Sequence, residues 1–370
     1  MKWNPFALIS DAIEKTKDRV TPFSWREWLR LTVITTLGGC YRSGNINFSN
    51  SGNRSSMSDE QAKGIMAGFG NSVRDFFYSN SGFIAIMVGF FTIMLTVISY
   101  VKSVFSFIFI ESLVSGRSDF TFRRNQSKGL SLFLFNAIVT VVLLGLWLLL
   151  ASPYIYHFLN ANPIIESVGW AYIIFTIVTG IMLSLVMWFW LLFFYDFVVP
   201  YMYAKDVPAL HALNMTWREI AKSKMEILIY WLSRLVLGIA TAVLGGLVFL
   251  GILLVFLLAG GFVALLGFLL YKLIGFAPVF QFLAVVFGII WLIKLIVVTM
   301  VATMPLRVFL GYFGLLNFEK LTKIKIFSMK IPKAKALPKR KKAVTSVLVV
   351  LFLLTLVLFP LIFSLWYFWA

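Results

Sequence analysis

Seven long apolar runs dominate the pattern of this chain, at 83–101, 130–152, 171–194, 227–250, 251–275, 278–301 and 344–369. About 20 apolar residues at about 1.5 Å rise cross about 30 Å of hydrocarbon, so each run predicts a candidate transmembrane helix. The first helix extends to about Phe109. The stretch before the runs is polar and punctuated. Asn4 and Pro5 form a helix start, with Asn as cap and Pro at the first helical position. Phe6, Ile9 and Ile13 then recur at helical spacing, which predicts a short charged helix over 5–19. Thr21-Pro22 ends it, and Ser24 caps a second helix over 25–37. That helix carries Trp25, Trp28, Leu29 and Val33 on one side, with Arg26, Glu27 and Arg30 among them. It is too short to span, so it either lies at the interface or packs on the protein's own helices. Residues 40–80 are rich in Ser, Asn and Gly and read as a solvated loop, with sequons at Asn47 and Asn53. The expected organisation is 1–82 as interfacial helices plus polar loop, 83–319 as a helical bundle, 320–343 as a polybasic loop and 344–370 as a last span.

The charges between the runs set the orientation. Segment 102–129 holds Lys102, Arg117, Arg123, Arg124 and Lys128, and segment 195–226 holds Lys205, Arg218, Lys222 and Lys224. Segment 302–343 holds Arg307 and ten more cations from Lys320 to Lys342, whereas 153–170 holds none. The positive-inside rule places the three basic segments in the cytoplasm and 153–170 outside. The chain must then cross an even number of times between 195–226 and 302–343, yet three apolar runs lie there. The run 251–275 is the one expected not to span, because Gly260-Gly261 divides it into two short pieces. The expectation is an all-α polytopic membrane protein with about six full spans and a broken re-entrant segment. Both chain ends then lie outside. Amphipathic cytoplasmic connectors join three hairpins. The middle one is capped by Asp206 and has Leu210, Leu213, Trp217 and Ile220 on one face. Another starts at Met304-Pro305, and the first turns at Ser115-Gly116.

Composition agrees. The 370 residues are 60% hydrophobic and only 13% charged, against about 25% charged in soluble chains. This excludes an ordinary soluble domain and a disordered chain. The excess of 33 Lys+Arg over 15 Asp+Glu gives +18, and 302–343 with its one acid, Glu319, supplies +10 of it. The basic balance therefore reads as orientation, not as nucleic-acid binding. Cys40 is alone, and His157 and His211 are 54 residues apart, so no metal or cofactor site is expected.

Few residues carry chemistry. Asp196 closes the third span and Arg234 opens the fourth, and their positions allow a charge pair near the cytoplasmic side. Such a pair either lines a cavity around an anionic group or fixes two helices, the latter being commoner. Lys294 is a candidate intramembrane cation, about 10 Å from the inner end of its span and within near reach of snorkelling. Gly238, Ala242 and Gly246 form a small-residue row suited to close packing, within the chain more readily than between copies. Lys339, Arg340, Lys341 and Lys342 precede the last run, as a topogenic signal or as a contact for anionic lipid head groups.

The stretch Phe197–Leu232 (FVVPYMYAKDVPALHALNMTWREIAKSKMEILIYWL), with Ala212 and Thr216 as a small-residue element, resembles uncharacterised prokaryotic multi-pass proteins. Their membrane domain looks like that of bacterial glycerophosphodiester phosphodiesterases. Residues Phe109–Phe135 and 7–31 resemble other parts of these proteins. The resemblance implies a prokaryotic plasma-membrane protein without the catalytic barrel, so the phosphodiesterase activity does not follow. The sequence thus points to a non-enzymatic membrane scaffold or accessory protein contacting lipids, anionic head groups above all, and protein partners. Homo-oligomers stay open. The alternative is a transporter or lipid-handling permease with its site near 251–275.

Overall fold

The computed structural model describes residues 4–21, 23–39, 79–159, 169–274 and 277–329. Among them every regular element is helical. A 3₁₀ turn, Pro5–Ala7, is capped by the Asn4 side chain, which accepts from the Phe6 N–H at 3.1 Å. It leads into α1 (Leu8–Val20) and, after the Thr21 break, α2 (Trp25–Gly38). Then come α3 (Ser81–Ser115), α4 (Phe122–Leu159) and α5 (Trp170–Phe193). A π turn, Phe194–Val198, joins α5 to the short α6 (Val199–Lys205). The amphipathic α7 (Ala209–Lys222) precedes two very long helices, α8 (Lys224–Ile274) and α9 (Ala277–Thr322). Five stretches are long and apolar enough to cross a membrane: Ile86–Ser115, Phe122–Tyr154, Ala171–Lys205, Lys224–Leu269 and Ala284–Thr322.

Burial divides these helices into two layers. One end of the bundle is a packed body. It holds α1, α2, the second half of α3, the first third of α4, the π turn with α6 and α7, the start of α8 and the end of α9. Beyond it, residues 81–102, 138–159 and 170–191 extend as three apolar stretches, 22 residues each, and 277–300 as a stretch of 24. At about 1.5 Å per residue these are about 33–36 Å long, one hydrocarbon thickness. Large apolar side chains such as Phe83, Leu149, Val186 and Ile289 remain exposed along them. An exposed apolar surface of this length is compatible with a layer that crosses a membrane.

Small residues seat the body helices. A Cβ on Gly38 of α2 would lie 2.2 Å from the Phe105 carbonyl oxygen of α3. A Cβ on Gly129 of α4 would lie 2.4 Å from the Val104 side chain. Of the two readings left open for 25–37, packing on the protein's own helices is the one observed: Leu31 and Ile34 are buried. The Arg307 guanidinium also donates to Thr36 at 2.7 Å. The N-terminal helices therefore dock on the body, beside the turn that follows α3, where Arg19 donates to Ser118 at 2.5 Å. A six-span count had put this end of the chain on the opposite side.

The expected break at Gly260-Gly261 does not occur. The fourth and fifth apolar runs are one helix of 51 residues, α8. Each glycine costs about 1 kcal/mol relative to alanine in a helix, but unpaired backbone groups in an apolar setting cost several. Gly260 serves packing: a Cβ there would lie 2.8 Å from the Trp291 indole nitrogen. That N–H donates to the Phe256 carbonyl at 3.1 Å. With two helices in place of three runs, the basic segments fall at the same end without a re-entrant piece. Likewise α9 continues through Pro305, where a connector was expected to begin. Pro305 removes one N–H donor from the helix, and its sequence neighbours Met304, Val308, Leu310 and Phe313 are buried, so packing of α9 on the body outweighs that loss. Gly116 does end α3, at φ 68°. The small-residue row behaves differently from expectation: nothing lies within 4 Å of a Cβ on Gly238 or Gly246, and Ala242 is exposed. The last run, 344–369, lies outside the described residues.

Gly260→Leu is expected to overpack the Trp291 site and cost about 1–3 kcal/mol. Trp291→Phe is expected to cost about 0.6 kcal/mol, the mean for hydrogen bonds between membrane helices. Unfolding midpoints in denaturing detergent measure both.

Candidate functional site

The polar centre of the body is built on the π turn. In a regular helix the ring of Pro200 would clash with the carbonyl of Asp196, four residues earlier. The wider π turn removes that conflict, and its closing bond runs from the Val199 N–H to the Phe194 carbonyl. The same widening leaves Asp196 facing inward, fully buried. π turns often mark functional positions.

Asp196 and Arg234, paired on sequence grounds, are brought together. The Arg234 Nε lies 3.1 Å from Asp196 Oδ2, and both side chains are almost wholly buried. The Tyr230 hydroxyl donates to the same carboxylate oxygen at 2.6 Å. Arg234 Nη1 donates to the Leu310 carbonyl of α9 at 3.3 Å. The Tyr230 ring lies between Phe197 (4.9 Å, edge-on) and Phe313 (5.9 Å, stacked). Charge-assisted bonds of this kind are the strong ones, and burial raises the cost of losing any member. Gly314 completes the enclosure: a Cβ there would come within 2.7 Å of Asp196 Oδ1. Three elements, the π turn, α8 and α9, thus meet on one carboxylate. Gly314→Ala is expected to push the carboxylate off its partners and cost about 1–3 kcal/mol, read as a lower melting temperature in nanodiscs.

Tyr230 stands one helical turn before Arg234, a spacing that puts both on one face of α8. That signal was legible and was missed. Gly314 and the Leu310 carbonyl gave none. A second polar cluster closes the turn between α3 and α4. The buried Glu111 carboxylate pairs with Arg124 and accepts from Thr121 at 2.9 Å and Asn125 at 2.8 Å. Lys128 bonds the Tyr203 carbonyl at the end of α6 and the Asp206 carboxylate, both at 3.3 Å.

The other candidates stand apart. Lys294 is exposed on the apolar stretch of α9, away from the Asp196 pair. Lys272 lies over the Phe268 ring at 5.7 Å. Lys339, Arg340, Lys341 and Lys342 lie outside the described residues. Among the described residues no cluster of three His, Cys, Asp or Glu is placed to hold a metal ion. A shallow apolar groove of about 550 Å³ runs between α4 and α5, lined by Trp147, Thr176, Gly180 and Ser184.

The model of a family of unknown function, DUF7544, matches residues 3–324. The chain belongs to this family. The match begins before α1 and ends just after α9, so the DUF7544 unit contains both the body and the five apolar helices. No curated protein and no solved structure matches this DUF7544 member.

Proposed function

We propose that this DUF7544 chain is a non-enzymatic scaffold or accessory protein of the prokaryotic plasma membrane, with the packed body at the cytoplasmic face. The observation that carries this reading is the use made of the buried charges. Asp196 and Arg234 are engaged by Tyr230 and the Leu310 carbonyl in a packed centre that ties three helical elements together. A permease with its site at Gly260-Gly261 would need space there, and the Trp291 indole fills the side of Gly260, while Gly261 faces open space. The likeness of Phe197–Leu232 to the membrane part of glycerophosphodiester phosphodiesterases fits a membrane-embedded role without their catalysis.

In this reading the five described helices cross the bilayer, 344–369 is a further span, and the chain crosses once more between α2 and α3, because α2 docks on the body while α3 begins at the far end of its apolar stretch. The basic ends of α3, α5 and α9 then share the cytoplasmic side, as the positive-inside rule requires. Lys339, Arg340, Lys341 and Lys342 stand where the inner surface begins and contact anionic head groups. A cysteine introduced near Lys339, in a Cys40→Ser background, is expected to resist an impermeant maleimide applied to right-side-out vesicles. It is expected to react in inverted ones. Labelling from outside would overturn the orientation. Purification in native lipid, with the bound lipid and proteins identified by mass spectrometry, tests the scaffold role. A co-purifying small solute carried stoichiometrically would favour transport instead.

A further inference from the structure

The apolar arc of helix α7 is only partly covered by the body. Ala209, Ala212, Thr216 and Ile220 form a row turned into the body and are buried. Leu210 and Trp217 are not in that row. At about 100° per residue they fall within about 20° of each other, at the edge of the arc, with the half-buried Leu213 between them and the buried row. They are 69% and 58% exposed. The Trp217 ring meets Phe193 at the foot of α5 edge-on, 6.2 Å away. The remaining arc carries His211, Asn214, Arg218, Glu219 and Lys222, with Lys222 paired to Glu219 at 3.1 Å. Around the axis, α7 therefore presents a covered apolar part, an uncovered apolar edge and a polar face.

The uncovered stripe does not end with α7. One residue separates α7 from α8, whose first turns expose Met225 (69%), Leu228 (57%) and Leu232 (58%). From there exposed apolar side chains continue along α8 to Leu269. The stripe on α7 is thus continuous with the surface assigned to lipid. The cations Lys205, Arg218, Lys222 and Lys224 are exposed beside it. A helix with a large apolar stripe next to a cationic polar face is the kind that lies in the head-group layer. Trp is suited to that depth, since its ring is amphipathic.

We propose that α7 is seated in the inner leaflet, with Leu210 and Trp217 among the upper acyl carbons and Arg218 and Lys222 at the phosphates. The occupant of the uncovered face is phospholipid. The inference rests on the membrane reading given above, and it adds a defined lipid-contacting element to it. Bilayer contact on α7 fixes the rotation of the body against the membrane plane, because α7 is itself fixed to the body by its buried row.

Spin labels in the full chain test this, in nanodiscs of phosphatidylcholine and phosphatidylglycerol and a Cys40→Ser background. Labels replace Leu210, Asn214, Trp217 and Lys222 one at a time, and Leu254 and Ile293 of the apolar layer serve as controls. Relative collision with oxygen over a nickel chelate is expected to be several-fold higher at 210 and 217 than at 214 and 222. Equal nickel access at all four α7 positions, with 254 and 293 still protected, would overturn the seating of α7 alone. Low access of both reagents at 217 would also overturn it, since protein and not lipid would then cover the stripe. Nickel access at 254 and 293 would overturn the membrane reading together with the inference.

Discussion

Arg234→Met alone is expected to destabilise the fold by about 3–5 kcal/mol, and Arg234→Met with Asp196→Leu by much less. The single change leaves the Asp196 carboxylate buried without its cation, and such a charge costs about 3–5 kcal/mol. The Tyr230 hydroxyl still donates to that carboxylate, but one neutral donor offsets only part of the loss. Removing both charges abolishes the desolvation cost of both. Buried pairs replaced by apolar groups of similar volume are often neutral or more stable. Methionine suits the Arg234 site because its flexible chain follows the aliphatic part of arginine between α8 and α9. The measurement is a double-mutant cycle on the unfolding midpoint in denaturing detergent. A single variant no weaker than the double would show that the pair has no coupling and that the π turn holds without it. If the double variant is stable but loses its co-purifying partners or lipids, the pair has a role besides tying helices together.

The cycle also bears on what could be read before the fold was known. The pairing of Asp196 with Arg234 was legible because it needs only two helix ends, a direction of travel and the rule that intramembrane charges seek partners. That the described apolar runs form helices was legible for a related reason: a backbone with apolar surroundings has few alternatives to the helix. Local punctuation misled wherever that rule outweighed it. Gly260-Gly261 looks like a break and Pro305 looks like a start, yet α8 and α9 run through both. What could not be read was tertiary. Whether Leu210 and Trp217 face the body or stand clear depends on how α7 is rotated against α5 and α8, and a hydrophobic pattern does not encode that. Gly314 shows the same limit. Its role exists only because Asp196 arrives from a π turn more than a hundred residues away.

Gly38→Val is expected to detach α1 and α2 from the body at a cost of about 3 kcal/mol or more. Ordinary overpacking costs about 1–3 kcal/mol because side chains give way. Here they cannot, since the nearest atoms to an added Cβ are all backbone of α3: the Phe105 oxygen at 2.2 Å, the Phe105 carbonyl carbon at 2.6 Å and the Ser106 nitrogen at 3.0 Å. Rotation of α2 to escape them would break the bond from Ser106 Oγ to the Gly38 carbonyl, 3.3 Å, and the Arg307–Thr36 bond, 2.7 Å. It would also uncover Leu31 and Ile34. The exposed apolar stretches of α8 and α9 share none of these contacts, so they should not respond. Hydrogen–deuterium exchange separates the two: amides of 25–38 are expected to exchange much faster in the variant, while those of 240–270 keep their protection. Unchanged protection of 25–38 would mean that α2 is held by its other contacts and that the close approach at Gly38 is not what docks the N-terminal helices. Faster exchange in both regions would mean that the body and the apolar layer unfold as one unit, with α1 and α2 part of what keeps the long helices together.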